Sequence, residues 1–487
     1  MKRIAILGGG ISGLAAAYEL ERARLAGAAI DWQLYEATDR LGGILDTRLE
    51  DTPAGRFVLE GGPDGWVSEK PWLRELAIEL GLEDELIASN DATRKTYILK
   101  GSELIPIPDG MRMMVPTDLS VMEGSPLFSE EAKRAYTAET MRADELKATA
   151  PAADESVASF VLRHFGEEVL TTLAAPLLAG VFGGDVRKLS VRSVMPQFVA
   201  MEREHGSLIL ALQAKQREHG DRPRQTIFTS LRNGMGSLVS ALVAKLPPER
   251  IHLNQRTWLI DDSGEWIVRA GNSSTHRGML ASYASRSHGD LMEPASEIIV
   301  ATPVDVTREL FAPLIHKRAS KLLPTDASSA ILVAFGWTAE QAQSFTVPAG
   351  FGYLVPPDGD ASKLMACTFV DGKFPHRAPE GARIIRAFFG GKAADRLQEA
   401  NDVQIAAEAL AQLTPVLGTL PEPIHTYVRR WPRSLPQYEV GHLERMDELE
   451  TLVAKRPGIH LLGNSYRGVG MPDLIRDARA LARKLTT

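Results

Sequence analysis

With 487 residues, 44% of them hydrophobic and 24% charged, the chain has enough apolar material for a large core, which excludes global disorder. A formal net charge of -7 lacks the basic footprint of a nucleic-acid binder. The single cysteine, Cys367, excludes an internal disulfide, an all-cysteine zinc site and a multi-cysteine iron–sulfur cluster, and the 11 histidines show no metal-ligand spacing, so no metal is expected.

The length corresponds to about three structural units at roughly 150 residues each. No stretch reaches the roughly 18 consecutive apolar residues of a membrane-spanning helix. The basic pair Lys2-Arg3 precedes an apolar run too short for a secretion signal, so a cytoplasmic protein is expected. That run, Arg3 to Leu7, predicts a buried parallel strand. It enters Gly8-Gly9-Gly10-Ile11-Ser12-Gly13, a G-x-G-x-x-G turn, and then the helix formers Leu14 to Leu20. Trp32 to Tyr35 predicts a second strand ending at Glu36, about 20 residues further on, the spacing of a ribose-binding acid. In a dinucleotide site Gly8 permits the tight turn, Gly10 lets amides approach a pyrophosphate, and Gly13 lets helix and strand pack closely. The helix N-terminus adds amides and a positive dipole end. Glu36 would bind ribose hydroxyls and repel a 2′-phosphate, which argues against NADP.

After Glu36 the chain reads Ala37-Thr38-Asp39-Arg40-Leu41-Gly42-Gly43-Ile44. This resembles the E-x-x-x-R-x-G-G segment of the FAD-dependent amine oxidase superfamily. There the arginine and glycines approach the FAD pyrophosphate and ribityl chain. Leu59-Glu60-Gly61-Gly62-Pro63-Asp64 resembles the family's loop beside the isoalloxazine ring. Arg232-Asn233-Gly234-Met235-Gly236 resembles a segment that opens a helix. Ile251 to Ile260 resembles a single strand whose backbone meets the adenine at Thr257. Glu297 to Pro303 is a strand leading out past Ala301. Gly458 to Asn464 is a short strand ending at Gly463-Asn464. Val469-Gly470-Met471 then leads to a helix over Asp473 to Leu485, whose N-terminus could face the flavin. The resemblance implies FAD contacts at Gly8, Gly9, Gly10, Gly13, Gly42, Gly43, Gly62, Gly463 and Gly470, and at Ile11, Ser12, Glu36, Ala37, Arg40, Ile44, Pro63, Asp64, Thr257, Ala301, Trp431, Asn464, Val469 and Met471.

Longer segments narrow the resemblance. Pro176 to Ser193, Glu202 to Ile209, Gly350 to Pro356, Phe374 to Gly381, and Leu435-Pro436-Gln437-Tyr438 with Gly441-His442 are similar to the protoporphyrinogen oxidase family, in its oxygen-dependent bacterial branch. That branch includes coproporphyrinogen III-oxidising relatives. The implied activity is six-electron oxidation of protoporphyrinogen IX in heme biosynthesis, with O2 reoxidising FAD to give hydrogen peroxide; coproporphyrinogen III is the alternative. The bridging CH2 groups donate hydride to flavin N5 and the substrate sheds its own N–H protons, so no catalytic acid or base is assigned. By the resemblance Leu354 and Phe388 sandwich a pyrrole ring, with Phe351, Gly352 and Cys367 nearby. A propionate needs a cation, and Lys95 and Lys70 compete for that role.

The fold class expected is α/β: a Rossmann-like FAD-binding unit from residues 1–90, 222–302 and 425–487, interleaved with a mixed-sheet substrate unit (91–104 and 303–424) and a helical cap (105–221). Val169 to Phe182 predicts a buried helix ending near Gly183-Gly184. The loop Ile105 to Pro116 is apolar enough for a peripheral membrane contact, and Asn272 to Gly289 looks like an exposed insertion. A monomer or homodimer is expected, with hand-over to the next enzyme of heme biosynthesis. Two rivals share the FAD motifs. An amine oxidase or desaturase could use Trp431 and Tyr466 in an aromatic cage. A non-catalytic binder would hold flavin that porphyrinogens do not reduce.

Overall fold

The computed structural model describes residues 1–219, 226–261, 266–272, 291–311, 317–357 and 362–486. Most of the expected insertion over Asn272 to Gly289 lies outside the described residues.

A five-stranded parallel sheet runs in the order Ile251–His252, Ile30–Tyr35, Lys2–Leu7, Glu297–Val300, Ile459–Leu461. First, middle and last parts of the chain thus share one sheet. Both of its faces are covered, which is why its strands read as short apolar runs without alternation. Ile4 and Ile6 pack against helices Ile11–Leu25, Gly236–Val243 and Met471–Thr486. Ala5 and Leu7 face the other way, toward helix His442–Val453 and a three-stranded antiparallel sheet. The single strand expected over Ile251 to Ile260 is broken. Asn254 takes a left-handed φ of 57°, and Gln255–Asp261 departs into the antiparallel sheet.

A seven-stranded mixed sheet has the order His425–Pro436, Ala327–Trp337, Arg383–Gly390, Ala366–Phe369, Gly352–Leu354, Thr96–Lys100, Glu103–Pro106. Helix Asp402–Leu417, opened by a capping box between Asn401 and Gln404, covers one face. The unit boundary expected at 425 cuts across this sheet, because His425–Pro436 pairs along its length with Ala327–Trp337.

Residues 119–219 form a mainly helical body with its own core. The helix expected over Val169 to Phe182 contains a π-helical turn at Leu170–Ala174, and it ends at Gly183 with φ 62°. In the loop Ile105 to Pro116, Ile105, Ile107, Met111 and Met113 pack against this core, while Met114 and Val115 are buried in it. Ile105, Ile107, Met111 and Met113 remain partly exposed. No described helix is long and apolar enough to cross a membrane.

The helical body is pinned by fully buried His164. Its Nδ1 lies 3.1 Å from Glu139 and its Nε2 3.1 Å from Glu202. Glu139 also accepts from Ser207 Oγ at 2.5 Å and Leu208 N at 2.6 Å, which caps helix Leu208–His219. Burial opposes a charge on His164, but the two carboxylates outweigh it and raise the imidazole above its usual range. The stabilisation from the charged ring is complete below about pH 6.5 and is lost as pH rises through the raised value. The melting temperature is therefore expected to fall as pH rises above about 6.5. His164→Gln should flatten that slope in calorimetry.

Candidate active site

The first glycine turn is built by close approach. Gly8 has φ 106°, and a Cβ there would sit 2.5 Å from the Ala301 carbonyl oxygen. A Cβ on Gly13 would sit 2.0 Å from the Gly8 oxygen. Helix Ile11–Leu25 starts with no side-chain cap and no acid in its first turn, so the amides after Gly10 face outward toward a ligand. Glu36 is held at the neighbouring strand end. Its Oε2 accepts from Gly9 N at 2.8 Å, and its Oε1 accepts from Thr38 N at 2.9 Å and Thr38 Oγ1 at 2.8 Å. The turn after His252 closes beside it: Gln255 N donates to the Glu36 carbonyl at 2.8 Å, which brings buried Thr257 to this end of the cleft.

Gly42 and Gly43 lie against the first turn. Gly42 N donates to Gly9 O at 2.8 Å, and a Cβ on Gly43 would be 3.2 Å from Gly10 Cα. Arg40 wraps this loop, donating to the carbonyls of Leu41, Gly43 and Leu45. Half-buried Ile44 leads to the next loop, where a Cβ on Gly62 would lie 1.8 Å from the Ile44 oxygen. Gly10, Gly43 and Gly62 therefore form one continuous wall of bare backbone. An uncapped helix, a fixed carboxylate and a wall without side chains fit a long dinucleotide.

Beyond Gly62 lies a buried charge cluster. Glu60 and Arg377, both fully buried, pair at 2.8 Å. Asp64 pairs with Lys373 at 2.9 Å and with Arg386 at 3.1 Å. Arg386 also donates to the Gly62 carbonyl, and Trp431 Nε1 donates to the Gly61 carbonyl at 2.7 Å. Burial opposes ionisation of Asp64, but Lys373 and Arg386 outweigh it and hold the carboxyl far below the usual range. Burial lowers Arg386, against the pull of Asp64. Two carboxylates face three cations here. Arg377 lies in the family-like segment Phe374 to Gly381, while Lys373 and Arg386 lie in no motif, and sequence reasoning assigned none of the three a role.

Strand register places the expected substrate residues. Leu354 pairs with Ala366 and Ala366 with Phe388, so the three share one row on one face. Gly352, Thr368 and Arg386 form the next row on that face. Leu354 and Phe388 are only half-buried, and Ala366 is a small floor between them. Leu354 meets helix Ala175–Phe182 beside Gly180, 3.8 Å from a Cβ position there. A cavity of about 340 Å³ adjoins, lined by Ala175, Ala179, Val186, Val355, Leu364 and Met365. Cys367 lies elsewhere. It pairs with Tyr353 on the opposite face, in the core under helix Asp402–Leu417, because successive strand residues alternate sides. Burial pushes its thiol far up, which leaves it inert. Phe351 is buried beside Phe228, with ring centroids 6.4 Å apart.

The two lysines differ. Lys70 is tied to Asp473 at 2.5 Å, whereas Lys95 is exposed and makes no ion pair among the described residues. Asp473 sits in the first turn of helix Met471–Thr486, so that N-terminus already carries a carboxylate. Gly463, Asn464, Val469 and Gly470 form the half-buried approach to that helix, and Met471 is buried at its start. Trp431 stacks near Arg429 and Arg40, while Tyr466 is buried in the core under the parallel sheet. Buried in that core, Tyr466 presents no open ring face to a substrate beside Trp431, against the aromatic-cage reading.

Removing one partner of the Glu60–Arg377 pair strands a buried charge. Arg377→Met is expected to cost about 3–5 kcal/mol in urea unfolding. Glu60→Gln in the same chain should recover much of that loss.

The comparisons with known proteins agree with this geometry. Residues 11–486 match the family described as flavin containing amine oxidoreductase. The chain is 31% identical to coproporphyrinogen III oxidase of Bacillus subtilis, over 98% of this chain and 97% of that protein. It is 29% identical to protoporphyrinogen oxidase of Homo sapiens, over 99% of this chain and 98% of that protein. A solved structure of a candidate protoporphyrinogen oxidase from Exiguobacterium sp. 255-15 matches with a TM-score of 0.79 at 29% identity, over 100% of this chain and 98% of that one. The chain belongs to the flavin containing amine oxidoreductase family, with FAD as its cofactor.

Proposed function

We propose that this protein oxidises a porphyrinogen to the porphyrin, with O2 as the final oxidant. The observation that carries the reading is the row Leu354–Ala366–Phe388. Two apolar walls stand about 10 Å apart, two strand spacings, across a small floor. That is room for a flat ring between them. Arg386, on the same face, ties this trough to Gly62 at the end of the glycine wall.

FAD, when bound, supplies acceptance of hydride from a bridging CH2, repeated three times, with O2 carrying off each electron pair as hydrogen peroxide. The chain's own residues bind and orient. Glu36 would accept from ribose hydroxyls, and Ala37 and Thr257 would hold the adenine. The amides of Gly10 to Gly13 take the pyrophosphate. Gly42, Gly43, Ile44 and Gly62 to Asp64 give the chain of the cofactor a bare surface, and Arg40 fixes the shape of that surface. Gly463 to Met471 close the far side. Leu354 and Phe388 hold the substrate ring, helix Ala175–Phe182 excludes water, and Lys95 meets a propionate at the rim. The substrate loses its own N–H protons, so no side chain is required as acid or base. Three units follow from this reading: FAD-binding, substrate-binding and helical. The enzyme would work in the cytoplasm, as a monomer or homodimer, and pass its porphyrin to the next step of heme formation.

Protoporphyrinogen IX is the substrate read from the sequence. Coproporphyrinogen III is the second reading, favoured by the name of the Bacillus subtilis relative. In aerobic assays, FAD-loaded protein should raise porphyrin emission above a no-enzyme blank, and the ratio of kcat/KM values would name the substrate. Phe388→Ala should lower kcat/KM about tenfold or more while FAD content stays constant. No emission from either porphyrinogen with FAD-loaded protein would overturn the proposal.

A further inference from the structure

The segment Leu435 to His442 has no part in the reaction described above, yet three regions of the molecule meet on it. Its start belongs to the seven-stranded sheet: Ala327 pairs with Pro436, and Gln437 N donates to Asp326 O at 3.0 Å. Its middle grips the helical body. Gln437 Nε2 donates to Phe182 O at 2.9 Å, Ser190 N donates to Tyr438 O at 2.7 Å, and Val440 N donates to Lys188 O at 2.9 Å. Gly441 N donates to Asp154 Oδ2 at 2.8 Å. A Cβ on Gly184 would lie 1.7 Å from Gln437 Oε1, so a larger residue there would displace this side chain.

The side chains then reach the loop that precedes the last helix. Tyr438 Oη donates to Asn464 O at 2.6 Å and accepts from Gly468 N at 3.2 Å. One hydroxyl therefore bridges both ends of a five-residue span. His442 Nε2 lies 2.5 Å from the Tyr466 carbonyl, in the middle of the same span. A carbonyl only accepts, so Nε2 carries the proton. Burial pushes this imidazole down to about 4, so the ring is neutral and Nδ1 is bare. Nδ1 is buried without a hydrogen-bond partner. The two rings stack with centroids 3.9 Å apart and planes at 11°, which fixes both polar atoms together. Asn464 Nδ2 adds a bond to Ser434 O at 2.9 Å.

We propose that Tyr438 and His442 are positioning residues that hold the loop Asn464 to Gly470 in its working shape and lock it to the helical body. The seat of the cap and the shape of the cofactor loop are then set by one strap. This rests on the proposed function in one respect, that the loop is a flavin contact, and it needs no porphyrinogen to be tested.

The test uses FAD-loaded protein, with release of FAD fluorescence on dilution and visible circular dichroism of the bound flavin as readouts. Tyr438→Phe keeps the stack and removes both hydroxyl bonds. His442→Leu removes the Nε2 donor, whereas His442→Gln offers an amide N–H at a similar reach. Tyr136→Phe is the control: it removes a buried hydroxyl bond to Met114 O at 3.0 Å inside the helical body, away from the loop. Tyr438→Phe and His442→Leu are expected to release FAD about tenfold faster, the loss of one or two net hydrogen bonds, and to alter the flavin dichroism. His442→Gln should restore both readouts. Tyr136→Phe should lower the melting temperature and leave both readouts unchanged. Wild-type release and dichroism in Tyr438→Phe and His442→Leu would overturn the proposal, as would the same acceleration in Tyr136→Phe. Wild-type protein that holds FAD but oxidises no porphyrinogen would refute the substrate reading and leave this one standing.

Discussion

Glu60, Asp64, Lys373, Arg377 and Arg386 are buried together where the first part of the chain meets the last. None of these charges is tolerable there alone, since an unpaired buried ion costs several kcal/mol. They are satisfied only when the loop after Glu60 docks against the strand Arg383–Gly390 and the strand Phe228–Leu231 at Ser230. Arg377 joins the first of these to the last, donating to Glu60, to the Asp64 carbonyl and to Ser230 Oγ, and Arg386 ties the strand to Asp64. The cluster therefore specifies one docking of the parallel sheet on the mixed sheet. It also fixes the Gly61–Gly62 backbone, because both carbonyls are occupied by donors from the mixed sheet, Trp431 and Arg386. One positive charge is left over beside that loop, a setting that favours negative charge in whatever binds against it.

What was legible in the sequence was local. The turn Gly8 to Gly13 couples backbone freedom to spacing, and Glu36 follows at the distance one helix and one strand require. The last helix announced itself by periodicity, and it begins two residues before the expected Asp473 because Met471 and Pro472 are buried with it. What was not legible was either distant or a matter of phase. Glu60 and Arg377 are 317 residues apart, and no periodicity links them. Cys367 lies in the four-residue strand Ala366–Phe369, too short for its alternation to show which side each residue takes. Asn254 is a single left-handed residue, and its neighbours read equally well as one straight strand. The sheet that claims His425–Pro436 shows only in its partner, Ala327–Trp337.

The two ends of the cofactor cleft are made differently. At Gly10 the helix N-terminus is bare, with no cap and no acid, so its dipole and amides are available to an anion. At Met471 the helix N-terminus carries Asp473, neutralised by Lys70 and by Arg476 at 3.2 Å. A second anion site of equal strength is not built there. The loop before it is shaped by neutral hydrogen bonds from Tyr438, His442 and Asn464, which supply position rather than charge.

The same accounting bears on the substrate. Lys70 is committed to Asp473, which leaves Lys95, exposed at the edge of Thr96–Lys100, as the candidate partner for a propionate. An exposed ion pair contributes about 0–1 kcal/mol and weakens with salt. On the proposed reading, most of the affinity would then come from the apolar trough between Leu354 and Phe388. Protoporphyrinogen IX and coproporphyrinogen III share that ring and differ by vinyl against propionate on two pyrroles. A carboxylate that stays in water at the rim has little desolvation cost, so the trough does not reject the more highly charged macrocycle. On the proposed reading, discrimination between the two would rest on how deeply those two pyrroles enter between helix Ala175–Phe182 and the strands, rather than on a dedicated charge partner.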